Sequence, residues 1–111
     1  MAPLEHDESL AFISHLPHLT AFAMMKALPD NYADLATQGL KDTTRIAASD
    51  PMMWKDIAFS NQKFILKSLD ETVKVLAAMR KAIVTEDQEA LVDIFKQAKT
   101  KRERLDKTHG S

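Results

Sequence analysis

The sequence predicts an all-α domain made of several helices, one of them long. Only two of the 111 residues are glycine and four are proline, so residues that favour turns are scarce. Ala, Leu, Lys, Met and Glu, which are good helix formers, are abundant. Apolar residues recur at intervals of three and four along most of the chain, as expected for helices with one buried face. At this length the chain forms one domain at most.

The first predicted helix covers residues 5–28 and contains the unusual segment SHLPH at residues 14–18. Its apolar side consists of Leu10, Ile13, Leu16, Ala21 and Met24. Pro17 removes a backbone donor and crowds the preceding turn, so a kink is predicted there. After the turn signal LPDN we predict a short helical piece over residues 31–37, and then an irregular stretch, QGLKDTTRIAAS, over residues 38–49.

A long helix is predicted to begin at Asp50-Pro51 and to continue to Ile83. Asp50 suits the capping position, and Pro51 suits the first helical position. About 33 residues give a helix of roughly 50 Å, whereas a compact chain of this size is only about 34 Å across. The helix must therefore break, with Ser60-Asn61 as the best place, or another chain must cover its apolar stripe. We favour the second alternative, a homodimer.

The last predicted helix begins at TEDQ, where Thr85 and Gln88 have the spacing of a capping box, and ends near Leu105. The predicted helical domain thus covers residues 1–105, with residues 106–111 as a tail. This end of the chain is basic, because residues 96–111 carry six Lys and Arg against two acidic side chains. It could bind phosphate, but we favour a solvated helix end whose cations offset the helix dipole.

Composition argues against several classes of function. The formal net charge of −1 argues against a general nucleic-acid binder. The chain has no cysteine, hence no disulfide and no thiolate metal site, which fits a reducing cytoplasm. The sequence has no apolar run long enough to cross a membrane, and it has neither of the glycine-rich motifs that hold nucleotide phosphates.

Two groups of residues are candidates for a site. His15 and His18 stand three apart, either as hydrogen-bonded core residues or as part of a site, and without a third ligand nearby we expect no metal. Arg45 lies among small and apolar residues and needs an anionic partner. That partner is either Asp42 or a ligand carboxylate held by a bidentate fork. Trp54, the only tryptophan, either anchors the core or an interface or contacts a ligand.

Two segments together resemble the helical C-terminal domain of prephenate dehydrogenases. They are HDESLAFISHLPH, residues 6–18, and GLKDTTRIAASDPMMW, residues 39–54. In that family a His-Asp pair opens a long helix, Ser-His-Leu-Pro-His follows, and a Gly-Phe-(Arg/Lys)-Asp-x-Thr-Arg-Ile-Ala-x-Ser-Asp-Pro-x-x-Trp segment comes later. The order and the spacing of the two motifs match in this chain.

The resemblance implies an interwoven homodimer and an oxidative decarboxylation. Prephenate would be converted to 4-hydroxyphenylpyruvate with NAD or NADP, in tyrosine biosynthesis. By motif position, Arg45 is implied to bind a substrate carboxylate and His18 to line the substrate pocket near the nicotinamide. The other implied substrate-site residues are Ser14, His15, Gly39, Asp42 and Trp54.

The resemblance also implies what this chain does not contain. The family's dinucleotide-binding domain, with its catalytic histidine, is absent, so we expect no catalytic residue, no bound cofactor and no activity from this chain alone. Met1 is expected to lie at the domain boundary. The basic tail resembles the connection that in some members leads to a regulatory ACT domain.

The chain departs from the family's sequence pattern in one loop, and three alternative functions stay open. The family often has two or three glycines before the Lys-Asp pair, whereas this chain has only Gly39, which would stiffen the loop or change how closely its backbone approaches a ligand. The chain could instead be a stand-alone helical interaction module in which Arg45 and His18 are structural. It could also bind an anionic surface through residues 96–107, or belong to a related enzyme acting on arogenate.

Overall fold

The computed structural model describes residues 3–109 and, of their side chains, those of residues 4–107. Every regular element in this range is helical, which confirms the predicted all-α class. In chain order the elements are α1 (Pro3–Leu10), a π-helical segment (Ala11–His15), α2 (Leu16–Ala27), a first 3-10 segment (Asp30–Leu35), α3 (Gln38–Thr44), a second 3-10 segment (Arg45–Ala47), α4 (Pro51–Ser60), α5 (Gln62–Val84) and α6 (Gln88–His109). The start of the predicted domain at residues 1–2 and the end of the tail at residues 110–111 lie outside the described residues.

The chain forms two compact units, residues 1–70 and residues 71–111. The first unit contains α1 to α4 and the beginning of α5, and within it α2 contacts α3 and the second 3-10 segment. The second unit contains the rest of α5, a short turn and α6. No helix in the described part of the chain is long and apolar enough to cross a membrane.

The first predicted helix changes type just before Pro17. The Leu16 N–H donates to the Ala11 carbonyl, five residues back, which is the wider turn of a π-helix. Pro17 then occupies the first turn of α2, where backbone N–H groups commonly lack an intrahelical partner. The kink predicted at Pro17 stays a prediction; what the structure shows just before it is one π-helical segment between two α-helices.

The stretch predicted as irregular, residues 38–49, is largely helical, so that prediction was wrong. The Thr37 hydroxyl caps α3 by accepting a hydrogen bond from the Leu40 N–H at 3.2 Å. The Thr44 hydroxyl donates to the Leu40 carbonyl at 2.6 Å, so this buried polar group is satisfied inside the helix. A cap and packing against α2 thus offset the weak helix propensity of glycine and threonine.

The helix predicted over residues 51–83 is broken, so the prediction of one continuous helix was wrong and the alternative of a break near Ser60-Asn61 was right. Asn61 has φ −126° and ψ 37°, outside the helical region. The start is as predicted, since the Asp50 carboxylate accepts a hydrogen bond from the Met52 N–H at 3.0 Å. Among the described residues the longest helix is α5, with 23 residues. At roughly 35 Å it no longer requires a partner by its length alone.

Exposed apolar surface gives a stronger reason for a partner than helix length. Among residues 4–107, three of the five buried apolar residues are alanines, and the other two are Trp54 and Ile65. In the same range eighteen large apolar side chains are exposed, among them Ile13 and Leu35, each 73% exposed, and Val84, 65% exposed. Such extensive exposure is unfavourable in water and typical of a surface that another chain covers.

The cap of α6 differs from the predicted capping box at Thr85 and Gln88. The Thr85 hydroxyl donates to the Lys81 carbonyl at 2.8 Å instead, which makes it part of the end of α5. The Asp87 carboxylate accepts a hydrogen bond from the Ala90 N–H at 3.1 Å and is the cap. Glu86 between them has φ 56°, a left-handed turn that redirects the chain. Helix α6 continues to His109, beyond the predicted end at Leu105.

We expect Asp87→Ala to lower the free energy of unfolding by about 1 kcal/mol, because the Ala90 N–H loses its acceptor. Thr85→Ala should cost only a few tenths of a kcal/mol, since its hydroxyl bonds a carbonyl that is exposed to water. Urea denaturation of both variants measures the difference. An equal loss from the two variants would contradict the assignment of Asp87 as the cap.

Candidate substrate site

A stack of three rings forms the centre of the candidate site. Trp54, on α4, is buried, with only 8% of its surface exposed. The His18 ring lies parallel to the indole, with ring centroids 3.9 Å apart and an interplanar angle of 19°. The His15 ring meets the same indole edge-on, at 6.1 Å and 78°. The tryptophan therefore anchors the core of the first unit and holds both histidines at the junction of the π-helical segment with α2.

The hydrogen bond of His18 fixes which of its ring nitrogens is free. Its Nδ1 lies 3.1 Å from the Ser14 carbonyl oxygen, and a carbonyl oxygen can only accept. Nδ1 therefore carries the hydrogen and donates it to Ser14. The Nε2 atom remains for an outside group, as an acceptor in the neutral ring and as a donor when the ring is protonated.

The surroundings of His15 lower its pKa. Partial burial of the ring is the larger cause and the nearby His18 the smaller, and both lower the pKa of His15 below its ordinary value of 6.5. Its Nδ1 lies 3.4 Å from the side-chain nitrogen of Asn61. The neutral imidazole is thus the favoured form in the folded protein.

Arg45 is exposed, in contrast to the buried charge that its neighbours in the sequence suggested. It begins the second 3-10 segment, which packs against α2. Within residues 4–107 its guanidinium forms no ion pair and no hydrogen bond. The predicted internal partner, Asp42, instead accepts a hydrogen bond from the Gln38 amide at 2.8 Å. Of the two partners the sequence offered, the internal one is absent, and the guanidinium is available to a ligand.

Gly39 lies in the first turn of α3 and is exposed. A Cβ atom added to it would meet only the Thr37 hydroxyl, at 3.8 Å, which is an ordinary contact. Nothing in the conformation of this helix therefore demands glycine. The residue matters here only if a ligand approaches the backbone closely.

The structure brings the seven predicted substrate-site residues into the first unit, in two groups. In the first group His15 and His18 each contact Trp54, and His18 also bonds the Ser14 carbonyl. Gly39, Asp42 and Arg45 lie on elements that pack against α2. Sequence reasoning missed Asn61 as a member of the first group. The only signal in the sequence was the expected helix break at this position.

The described residues contain no group of three or more His, Cys, Asp or Glu side chains that could hold a metal ion. The sequence also has no glycine-rich nucleotide loop, since its only glycines are Gly39 and Gly110.

The low pKa of His15 predicts that acid destabilises the fold. The unfolded chain binds this proton more readily, so the stability gained from neutral His15 is complete above about pH 6.5 and is lost as the pH falls below it. We expect His15→Gln to reduce the drop in unfolding free energy between pH 7 and pH 5, measured by urea denaturation. The control is His6→Gln, an exposed position on α1. A drop as large in His15→Gln as in the wild type would contradict this role.

Known proteins share both the sequence and the fold of this chain. The family described as prephenate dehydrogenase, dimerization domain, matches residues 2–97. The prephenate dehydrogenase of Bacillus subtilis is 38% identical over 111 residues, which cover 95% of this chain and 30% of that protein. The cyclohexadienyl dehydrogenase of Zymomonas mobilis is 32% identical, with 98% of this chain and 40% of that protein covered.

Two solved structures superpose on nearly the whole chain. Synechocystis arogenate dehydrogenase matches with a TM-score of 0.86 and 26% identity, over 95% of this chain and 41% of its own. The prephenate dehydrogenase from A. aeolicus, in complex with hydroxyphenyl propionate and NAD+, matches with a TM-score of 0.77 and 37% identity, over 96% of this chain and 39% of its own. The chain thus spans less than half the length of these relatives, and it belongs to the family of prephenate dehydrogenase dimerization domains.

Proposed function

We propose that this chain is the helical substrate-binding and dimerisation domain of a cytoplasmic prephenate dehydrogenase. The observation that carries the proposal is the unpaired, exposed Arg45 on a segment that packs against α2, the helix whose His18 is stacked on Trp54. Prephenate has two carboxylates and an apolar ring. A guanidinium, an imidazole with one free nitrogen and an aromatic wall match those groups chemically.

Each residue then has a defined role. Arg45 binds a substrate carboxylate with two parallel N–H donors, and Asp42, bonded to Gln38, leaves the guanidinium available. His18 presents Nε2 to a polar substrate group because its Nδ1 is held by Ser14. Trp54 fixes the plane of the His18 ring. Gly39 leaves space at the first turn of α3 for a close backbone approach.

The proposed reaction is an oxidative decarboxylation. A hydride leaves the ring carbinol carbon for the nicotinamide ring of NAD or NADP, which supplies the oxidising power, and carbon dioxide leaves as the ring becomes aromatic. This chain has no glycine-rich loop for that cofactor. We therefore propose that residues outside this chain bind the cofactor, and that this chain by itself is inactive.

The dimerisation role is supported by the exposed apolar side chains. In the second unit, large apolar residues on both helices are exposed, including Leu76 on α5 (56%) and Phe95 on α6 (51%). Burying them against the same surface of a second copy would recover hydrophobic free energy at roughly 25 cal/mol per Å². We propose a homodimer for this reason. An arogenate substrate remains a second candidate because of the similarity to Synechocystis arogenate dehydrogenase.

Arg45→Ala in the whole enzyme is the test of the substrate role. Loss of a charge pair that the bound substrate encloses costs about 2–5 kcal/mol, so kcat/KM for prephenate should fall by at least about 30-fold. Arg45→Lys should recover only part of this loss, because an ammonium cannot form the bidentate pair.

The matched control for Arg45→Ala is Lys26→Ala, which removes another exposed cation from the same unit, at the end of α2. It should leave kcat/KM unchanged. A kcat/KM for Arg45→Ala equal to that of the control would refute the carboxylate role. Comparing prephenate with arogenate in the same assays identifies the preferred substrate.

The dimer is tested by the mass of this chain in solution. Light scattering at micromolar concentration should give twice the chain mass of 12.5 kDa. Phe95→Lys places a charge on the exposed apolar face of α6 and should shift the mass toward that of the monomer. A monomeric wild-type chain would overturn the proposed homodimer.

A further inference from the structure

We propose that Asn61 is a positioning residue, which holds the His15 ring in one tautomer and thereby sets the ring stack of Trp54 and His18. Its effect on catalysis rests on the proposed function, whereas its effect on the rings does not. Asn61 stands at the break between α4 and α5 and is 46 residues from His15 in the chain. None of the substrate-site roles above uses its side chain.

The orientation of the Asn61 amide is fixed by its stronger hydrogen bond. One side-chain atom of Asn61 lies 2.8 Å from the Asp7 carbonyl oxygen. Because that oxygen can only accept, the atom facing it must be the amide nitrogen and not the amide oxygen. The same nitrogen carries a second hydrogen, and it lies 3.4 Å from Nδ1 of His15.

The second amide hydrogen determines the tautomer of His15. An N–H group facing Nδ1 is favourable only if Nδ1 has a free lone pair, so the ring hydrogen must be on Nε2. This is the opposite of His18, where Nδ1 donates to the Ser14 carbonyl. A proton added at Nδ1 of His15 would face a donor, which agrees in direction with the lowered pKa of this residue.

The position of the His15 ring is transmitted to His18 through Trp54. His15 contacts the indole by its edge and His18 contacts the same indole by its face, so the indole touches both imidazoles. Asn61 is therefore the outermost member of a series of contacts that runs from the helix break to the imidazole proposed to meet the substrate.

The Asn61 side chain also links α1 to the break between α4 and α5, and a second contact joins α1 to α5. Lys67 on α5 forms an ion pair with Glu8 on α1, next to the Asp7 carbonyl that Asn61 binds.

The first experiment determines the ring tautomers of this chain by long-range ¹H–¹⁵N NMR spectra at about pH 8. In the wild type, Nδ1 of His15 should be unprotonated and Nδ1 of His18 protonated. In Asn61→Ala, His15 should show a mixture of tautomers and the Trp54 indole signal should shift. Gln62→Ala, an exposed neighbour at the start of α5, is the control and should leave both signals unchanged.

A second variant keeps the proposal testable if Asn61→Ala does not fold. Asn61→Asp has the same shape but places an acceptor where the amide donated. Its carboxylate should draw a proton onto Nδ1 of His15, so the tautomer should reverse or the ring should become charged. A wild-type His15 with Nδ1 protonated, or a His15 tautomer that neither variant changes, would overturn the proposal.

The catalytic consequence is measured separately in the whole enzyme. Asn61→Ala should lower kcat/KM for prephenate by about tenfold or more, with a larger change in KM than in kcat, since a substrate-binding ring is displaced. If Arg45→Ala leaves activity unchanged, the proposed substrate role fails and the NMR result is unaffected. If the tautomers respond while kcat/KM does not, Asn61 orders the rings without positioning the substrate, and the catalytic part of the proposal is refuted.

Discussion

The burial of Trp54 against His15 and His18 is the interaction on which the candidate site depends. Without it, His18 would be held only by its local helix, which changes type just before Pro17, and His15 only by the Asn61 amide. Stacking on a buried indole gives His18 one plane, and the Ser14 carbonyl gives it one free nitrogen. An imidazole held in this way loses little further conformational freedom when a ligand binds.

Departures from regular helix structure lie close to this stack. The π-helical segment ends at His15, and the break between α4 and α5 brings the Asn61 amide to the same ring. A π-turn and a helix break each sacrifice regular hydrogen bonding, and such features are frequent at functional sites. Here the His18 ring bonds the Ser14 carbonyl of the π-helical segment, and the Asn61 side chain at the break bonds the Asp7 carbonyl. The π-helical segment and the helix break thus place the side-chain bonds that orient the rings of His15 and His18.

The small number of buried large side chains has a different consequence. Among residues 4–107, three of the five buried apolar residues are alanines, so their burial contributes little hydrophobic stabilisation, while residues such as Phe95 and Leu76 stay in water. The chain belongs to a family described as a dimerization domain, and in a dimer these exposed apolar side chains would be covered by a second chain. Folding and association would then bury the same apolar surface, and stability would depend on protein concentration.

The sequence by itself determined the all-α class and the Asp50 cap of α4, and it supplied the candidate residues of the site. These follow from composition, helical spacing and caps, which act over a few residues. Only the tertiary structure decided that Asp42 bonds to Gln38 and leaves Arg45 unpaired, that both histidines contact Trp54, and that Asn61 reaches His15. Sequence patterns could not supply these, because the His15–Asn61 contact joins residues 46 positions apart, and such contacts are set by how helices pack and not by local propensity.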